Sequence, residues 1–207
     1  MALAPALKLP AVSHFELPPE IEHVGAAVPP RRNNFAALVL ADGTVGMTYI
    51  ALDDALAGLR SSISEAGGQR WQGADLMALA GYYISNEAWE RALGLAAVNA
   101  ASQCLLFRGG GMTLAPSTLP MLNLQPGDQV GMVGHFGRLL DPIRAAGASL
   151  TVIELDASLV REEPSLVVTL DQRRLQGCNK IIITGTTLLN QTLDEVLSHC
   201  QHAEQVA

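Results

Sequence analysis

The segment from Asp128 to Asp156 constrains the fold of this chain most, because its pattern predicts a strand, a glycine turn, a helix and a second strand. The apolar runs 129–133 and 149–155 have the length of strands buried on both faces. Gly147 stands where a glycine commonly ends the intervening helix. We therefore predict a β-α-β unit with parallel strands. Such units bind ligands at the turn after the first strand, because that turn lies at the carboxyl edge of the sheet.

The predicted turn carries glycines at three-residue spacing, Gly131, Gly134 and Gly137. This spacing differs from the G-x-G-x-x-G pattern of dinucleotide-binding proteins. Glu154 and Asp156 nevertheless end the second strand, where an acidic residue holds the ribose in such folds. Two interpretations stay open: a nucleotide site for NAD(P) or S-adenosylmethionine, or a tight turn that only lets helix and strand approach closely.

Composition limits the classes of partner. The 207 residues are 49% apolar and 16% charged, enough for one large domain or two small ones with their own cores. The net charge of −7 argues against nucleic acid as a partner. No apolar run reaches the roughly eighteen residues of a membrane span, and the amino terminus lacks the pattern of a signal peptide, so a cytoplasmic location is expected. The three cysteines form no C-x-x-C pair, which predicts reduced core thiols.

The amino-terminal half predicts a small antiparallel sheet followed by helices. A strand is expected over 21–28, and strands over 35–40 and 44–50 flank Asp42 and Gly43, the dipeptide typical of a type I′ hairpin turn. Helices are expected after Asp53, over 74–82 and over 87–103.

The last of these helices is apolar or small nearly all round in its second half, which predicts burial. Asn99 lies in that stretch. A buried amide must be hydrogen-bonded, so Asn99 is expected either to hold a neighbouring loop or to point into a site.

Three consecutive glycines and several prolines follow Phe107, as in a crossing between domains. We predict an α+β domain over 1–107 and a parallel-sheet α/β domain over 108–207, with further strands over 165–170 and 180–184.

The loop after the last of these strands is rich in hydroxyl and amide groups, and a final helix is expected from about Asn190 to His202. Because parallel strands end at one edge of the sheet, we expect residues 184–190 to lie beside 134–137. The loop then either contributes donors to a ligand site or only caps a helix. Its candidate residues are Thr184, Gly185, Thr186, Thr187 and Asn190.

Four segments in order, DGTVGMTY, LGLAAVNA, VGMVGHF and IIITGTTLLNQTLDEVL, resemble the DUF364 proteins with their preceding DUF4213 domain, for which heavy-metal chelation is proposed. The resemblance implies an enolase-N-like domain, a Rossmann-like domain and a site in the cleft between them. It carries over to Gly134, His135, Asn99 and the loop residues just named. Family members continue with another strand and helix, so the sheet is expected to lack an edge strand or to borrow one.

These observations support three hypotheses. The first is binding or processing of a small polar or anionic ligand, such as a metal chelate, with His135 as donor or as catalytic acid or base. The second is a nucleotide-dependent enzyme. The third is a non-catalytic subunit whose missing edge strand is completed by another chain, either in a homodimer or in a complex with a partner subunit. A metal ion or a nucleotide is the cofactor considered. Other residues of metal-ligating type are Asp53, Asp54, His199, Cys200 and His202.

Overall fold

The structure is a computed structural model that describes residues 9–18, 34–65, 70–108 and 119–207. The chain divides into two compact units, Met1–Met112 and Thr113–Ala207. The helix that ends unit 1 includes Arg108, near which the sequence predicts the boundary. The predicted strand over 21–28 lies outside the described residues.

Unit 1 contains a three-stranded antiparallel sheet in the order β1-β2-β3, with helices on one face. Its strands are β1 (Val12–Glu16), β2 (Phe35–Leu40) and β3 (Val45–Tyr49). Its helices are α1 (Ala55–Glu65), α2 (Leu76–Ala80), the 3-10 helix Gly81–Ile84 and α3 (Ala88–Arg108). Strand β1 was not predicted, because it lies in a proline-rich stretch.

The hairpin turn between β2 and β3 differs from the prediction. Leu40 donates to the carbonyl of Thr44 at 2.9 Å, which leaves a three-residue loop. Gly43 has a φ of +84°, whereas Asp42 is not in the positive-φ region that a type I′ turn requires. The carboxylate of Asp42 instead accepts from the Thr44 N–H at 3.0 Å. This local bond favours a type I turn followed by a left-handed glycine, so the type I′ prediction was wrong.

Helix α3 packs directly on β3 because Gly46 has no side chain. A Cβ at Gly46 would lie 2.0 Å from the carbonyl oxygen of Ala96. The helix is buried over residues 91–97, but Asn99 is exposed, so the expected burial of this amide was wrong. Its Nδ2 donates to the carbonyl of Met47 at 2.8 Å and so ties the helix to the edge of β3.

Unit 2 contains a six-stranded sheet in the order β6-β7-β5-β4-β8-β9, parallel except for β6. The strands are β4 (Gln129–Val133), β5 (Ser149–Ile153), β6 (Arg161–Glu163), β7 (Leu166–Thr169), β8 (Lys180–Ile183) and β9 (Gln205–Val206). The α-helices are α4 (Leu119–Leu122), α5 (Gly137–Ala145), α6 (Thr186–Leu189) and α7 (Leu193–Ser198). The 3-10 helices are Ala157–Leu159 and Gln172–Gly177. The α/β class is confirmed; the enolase-N-like and Rossmann-like descriptions stay predictions.

The predicted β-α-β unit is confirmed. Strands β4 and β5 pair in parallel, α5 lies between them, and Gly147 follows the helix with a φ of +79°. The last helix was predicted from about Asn190 to His202, and the structure has a shorter one there, α7, which covers Leu193–Ser198. The separate short helix α6 lies just before it, over Thr186–Leu189.

Both edges of the sheet differ from the prediction. Strand β6, which is short and charged, was missed, and β9 pairs with β8 through Gln205 and Val206. The chain's own last residues therefore extend the sheet beyond β8.

Two apolar clusters cover the sheet. One of them contains Cys178 and Cys200, which are buried free thiols like Cys104, as predicted. Burial raises the pKa of the Cys178 and Cys200 thiols, which keeps them unreactive. Within the described part of the chain, every helix is too short or too polar to span a membrane.

Candidate functional site

The carboxyl ends of β4 and β8 form the place where the strand order of unit 2 reverses. The chain proceeds from β4 to β5 and β7 on one side and then returns to β8 on the other. Ligands of open α/β sheets bind at such a reversal. The backbone N–H of Thr184 donates to the carbonyl of Val133 at 3.1 Å, so the loops after the two strands are neighbours, as predicted.

Gly134 shapes the loop after β4. Its φ is +87°, and its N–H donates to the carbonyl of Ile153 at 2.9 Å. A Cβ at this position would lie 3.2 Å from Cγ2 of Thr184. A glycine is therefore required both by the backbone conformation and by the close approach of the second loop.

Backbone donors remain free where this loop enters α5. Within the described segments, nothing accepts a hydrogen bond from the N–H groups of residues 135 to 138. These residues are exposed. The beginning of a helix also carries partial positive charge, so this turn favours an anion or a carbonyl-rich guest.

His135 contacts a second basic residue. Its Nε2 lies 3.4 Å from Nη2 of Arg161. A guanidinium can only donate, so in this contact Nε2 accepts and the ring proton resides on Nδ1. The guanidinium also donates to the carbonyl of Leu159 at 3.3 Å and pairs with Glu163 at 3.0 Å. Sequence reasoning missed Arg161, because only the path of the chain across the sheet edge brings it to residue 135.

The loop after β8 is hydrogen-bonded largely within itself. The Thr187 hydroxyl donates to the carbonyl of Thr184 at 2.7 Å, and the Thr184 and Thr186 hydroxyl oxygens lie 3.1 Å apart. The Thr192 hydroxyl donates to Oδ1 of Asn190 at 2.7 Å. These bonds fit the capping interpretation.

Two donors of the same loop remain for a guest. The N–H of Gly185 and the Nδ2 of Asn190 have no acceptor among the residues that the structure describes. The loop thus caps itself and still presents an N–H and an amide at the reversal point.

The two acidic residues after β5 have different surroundings. Oδ1 of Asp156 accepts from the Ser158 hydroxyl at 2.6 Å and from its N–H at 2.9 Å, which begins a 3-10 helix. The hydroxyl bond and the N–H bond hold the pKa of Asp156 below its ordinary value. Among the described residues, Glu154 accepts only from the neighbouring Leu155 N–H at 3.1 Å. Of the two, Glu154 is freer to meet a ribose.

The metal-ligating residue types do not converge in the described ranges, where no three His, Cys, Asp or Glu side chains are grouped closely enough to hold an ion. The buried Cys200 thiol donates to the carbonyl of Val196 at 3.1 Å. Nδ1 of His199 lies 3.4 Å from Nε2 of Gln176. Asp53 is paired with Arg91 at 3.9 Å.

Comparison with known proteins supports the resemblance found in the sequence. Residues 33–102 match the DUF4213 family model and residues 117–207 match the DUF364 model, both described as "Putative heavy-metal chelation". An uncharacterized protein of Methanocaldococcus jannaschii is 30% identical over 122 residues, which are 56% of this chain and 44% of that protein.

Solved structures are similar in fold. A DUF364 protein of unknown function from Desulfitobacterium hafniense is 20% identical, with a TM-score of 0.57 over 84% of this chain. One from Pyrococcus horikoshii is 17% identical, with a TM-score of 0.56 over 83%. This chain spans 65% of the length of each of those structures. The chain therefore combines an amino-terminal DUF4213 domain with a carboxy-terminal DUF364 domain.

Proposed function

We propose that the carboxyl edge of the DUF364 sheet, where β4 and β8 end, binds a small polar or anionic ligand of the metal-chelate class. The observation that carries this proposal is the row of backbone N–H groups from residue 135 to 138, which have no acceptor in the described segments, with the Arg161 guanidinium beside His135. Charge-assisted donors of this kind recognise carboxylate and phosphate oxygens. The heavy-metal chelation in the description of both domains supports the choice of a chelate.

Each group has a distinct role in this proposal. Arg161 and the N–H row bind the anionic periphery of the ligand, while Gly185 N–H and the Asn190 amide bind its other side. A chelate brings its own donor atoms to the metal, so the protein has to recognise only the organic shell. His135 then donates a hydrogen bond to the guest through Nδ1 or contributes one ligand to its metal. In its proposed catalytic role, the imidazole carries a proton.

Citrate and its nickel complex are suitable probes, measured by isothermal titration calorimetry. We expect Arg161→Gln to weaken binding about tenfold or more, since it removes charge-assisted hydrogen bonds. Arg174→Gln, which removes one exposed charge in the same domain, is the matched control and should bind as the wild type does. Equal affinity in the two variants would remove Arg161 and the N–H row from the site. Elemental analysis and native mass spectrometry of protein purified without added ligand would identify what it retains.

The nucleotide alternative is favoured by one observation, the half-buried Glu154 at the end of β5. An acidic residue at that position binds a ribose hydroxyl in dinucleotide folds. A thermal shift with NAD(P) or S-adenosylmethionine that is lost in Glu154→Gln would support it. A cleft site shared with Asn99, a homodimer or partner subunit, and a cytoplasmic location are further proposals.

A further inference from the structure

Unit 1 contains a cavity that the proposed function does not use. Its volume is about 140 Å³, and it lies between β1, Ile63 of α1 and residues 70–72. Its wall includes His14, Phe15, Arg70, Trp71 and Gln72. Aromatic surface and a cation therefore share one small hollow.

Among the residues that the structure describes, Arg70 is held in place without a countercharge. Its Nη1 donates to Oγ of the buried Ser62 at 3.0 Å, and its guanidinium lies 5.7 Å from the ring centre of Trp89. Although Arg70 is exposed, the cation-π contact and the hydrogen bond restrict its guanidinium, which lowers the entropic cost of binding a guest.

Four other arginines of the described segments differ from Arg70 in this respect. Arginines 91, 144, 161 and 173 each pair with a carboxylate, whereas no acidic side chain of the described segments pairs with Arg70. In a chain of net charge −7, a fixed and unneutralised guanidinium in a cavity wall is suited to an external anion.

The apolar part of the wall limits the kind of anion. Trp71 is only 6% exposed and packs edge-on against Phe15, with ring centres 5.4 Å apart. Drug-sized ligands fill pockets of about 300 Å³ or more, so this hollow suits a single ring. We propose that the cavity binds a small aromatic carboxylate, whose carboxylate pairs with Arg70 and whose ring lies against Trp71.

The chain offers a direct reporter, because Trp71 and Trp89 are its two tryptophans. Titration with benzoate should change tryptophan fluorescence saturably, whereas neutral benzamide should not. Arg70→Gln should weaken benzoate binding about tenfold or more through loss of the charge-assisted contact. Arg174→Gln, in unit 2, should leave it unchanged.

Circular dichroism checks that Arg70→Gln is folded, and Arg70→Lys, which keeps the charge without the planar fork, should bind with intermediate affinity. Three results would overturn the proposal: no saturable change with benzoate, equal binding of benzamide, or equally strong competition by inorganic phosphate, which lacks the ring. All three are measured on the wild-type protein and need no variant. Failure here would leave the citrate experiment unaffected, because the two tests use different residues and probes.

Discussion

The amino and carboxyl edges of the DUF364 sheet place similar side chains in opposite situations. At the amino edge, Lys180 Nζ lies 2.9 Å from Asp128 Oδ2 and donates to the carbonyl of Asn123 at 2.7 Å. The Asn179 amide donates to the other Asp128 oxygen at 2.9 Å. The Lys180 and Asp128 side chains are 7% and 10% exposed. At the carboxyl edge, the Arg161 side chain is 36% exposed, residues 135 to 138 are exposed, and several donors have no acceptor in the described chain.

The difference separates what holds the sheet from what the sheet can bind. Asn179 Oδ1 also accepts from the N–H of Gln129 at 2.9 Å, so the amino-edge cluster joins the starts of β4 and β8 and fixes their register. Every polar group named there is satisfied, which leaves little for a ligand. The carboxyl edge keeps its donors open, and we infer that binding belongs there.

Removal of one charge at each edge tests this comparison most strongly. Lys180→Met leaves the Asp128 carboxylate buried without a countercharge, although Asn179 and the Gln125 N–H still donate to it, so the free energy of unfolding should fall by about 1–3 kcal/mol. Arg161→Met breaks an exposed ion pair with Glu163 and should cost less than about 1 kcal/mol. Urea denaturation at neutral pH measures both. Similar losses in the two variants would refute the contrast between the edges.

Acidification should reduce the contribution of the amino-edge cluster to the free energy of unfolding. Bonds from Asn179, the Gln125 N–H and Lys180 lower the pKa of Asp128 from 3.8 to about 2. Because the pKa is lower in the folded state than in the unfolded state, the ionised Asp128 carboxylate stabilises the protein above pH 3.8. This contribution disappears as the pH falls toward 2. This pKa shift corresponds to about 2 kcal/mol in the free energy of unfolding.

Denaturation curves between neutral pH and pH 2 would measure this loss. Asp128→Asn should remove that part of the pH dependence, while Asp156→Asn, at the exposed carboxyl edge, should remove less. A wild-type pH profile unchanged by Asp128→Asn would show that this carboxylate is not preferentially stabilised in the folded state.

A smaller effect distinguishes two glycines within the carboxyl edge. Gly134→Ala places a Cβ at a φ of +87° and 3.2 Å from Thr184, which should cost about 1–2 kcal/mol. Gly185 has a φ of −62° and open space around a Cβ. Gly185→Ala should therefore be neutral or stabilising by up to about 1 kcal/mol. Thermal unfolding compares them, and a tolerated Gly134→Ala would show that this turn is not conformationally constrained.

Buried strands were predictable and edge strands were not. The runs of β4, β5, β7 and β8 are apolar and β-branched because helices cover both faces of a parallel sheet. Strands β6 and β9 have only three and two residues, and β1 lies in a proline-rich stretch. The pairing of these three strands depends on an available neighbour rather than on their own pattern. The adjacency of the loops at residues 134 and 184 followed from parallel strands alone.

By itself, the sequence determined the alternation of elements, the parallel central strands and the family, since these depend on local periodicity and on motifs written along the chain. Tertiary structure alone decided the partners of individual side chains. It placed Arg161 beside His135, paired Lys180 with Asp128, and put Asn99 on the surface rather than in the core. Such contacts join residues far apart in the chain, and their geometry depends on how the strands are ordered in space, which local pattern does not encode.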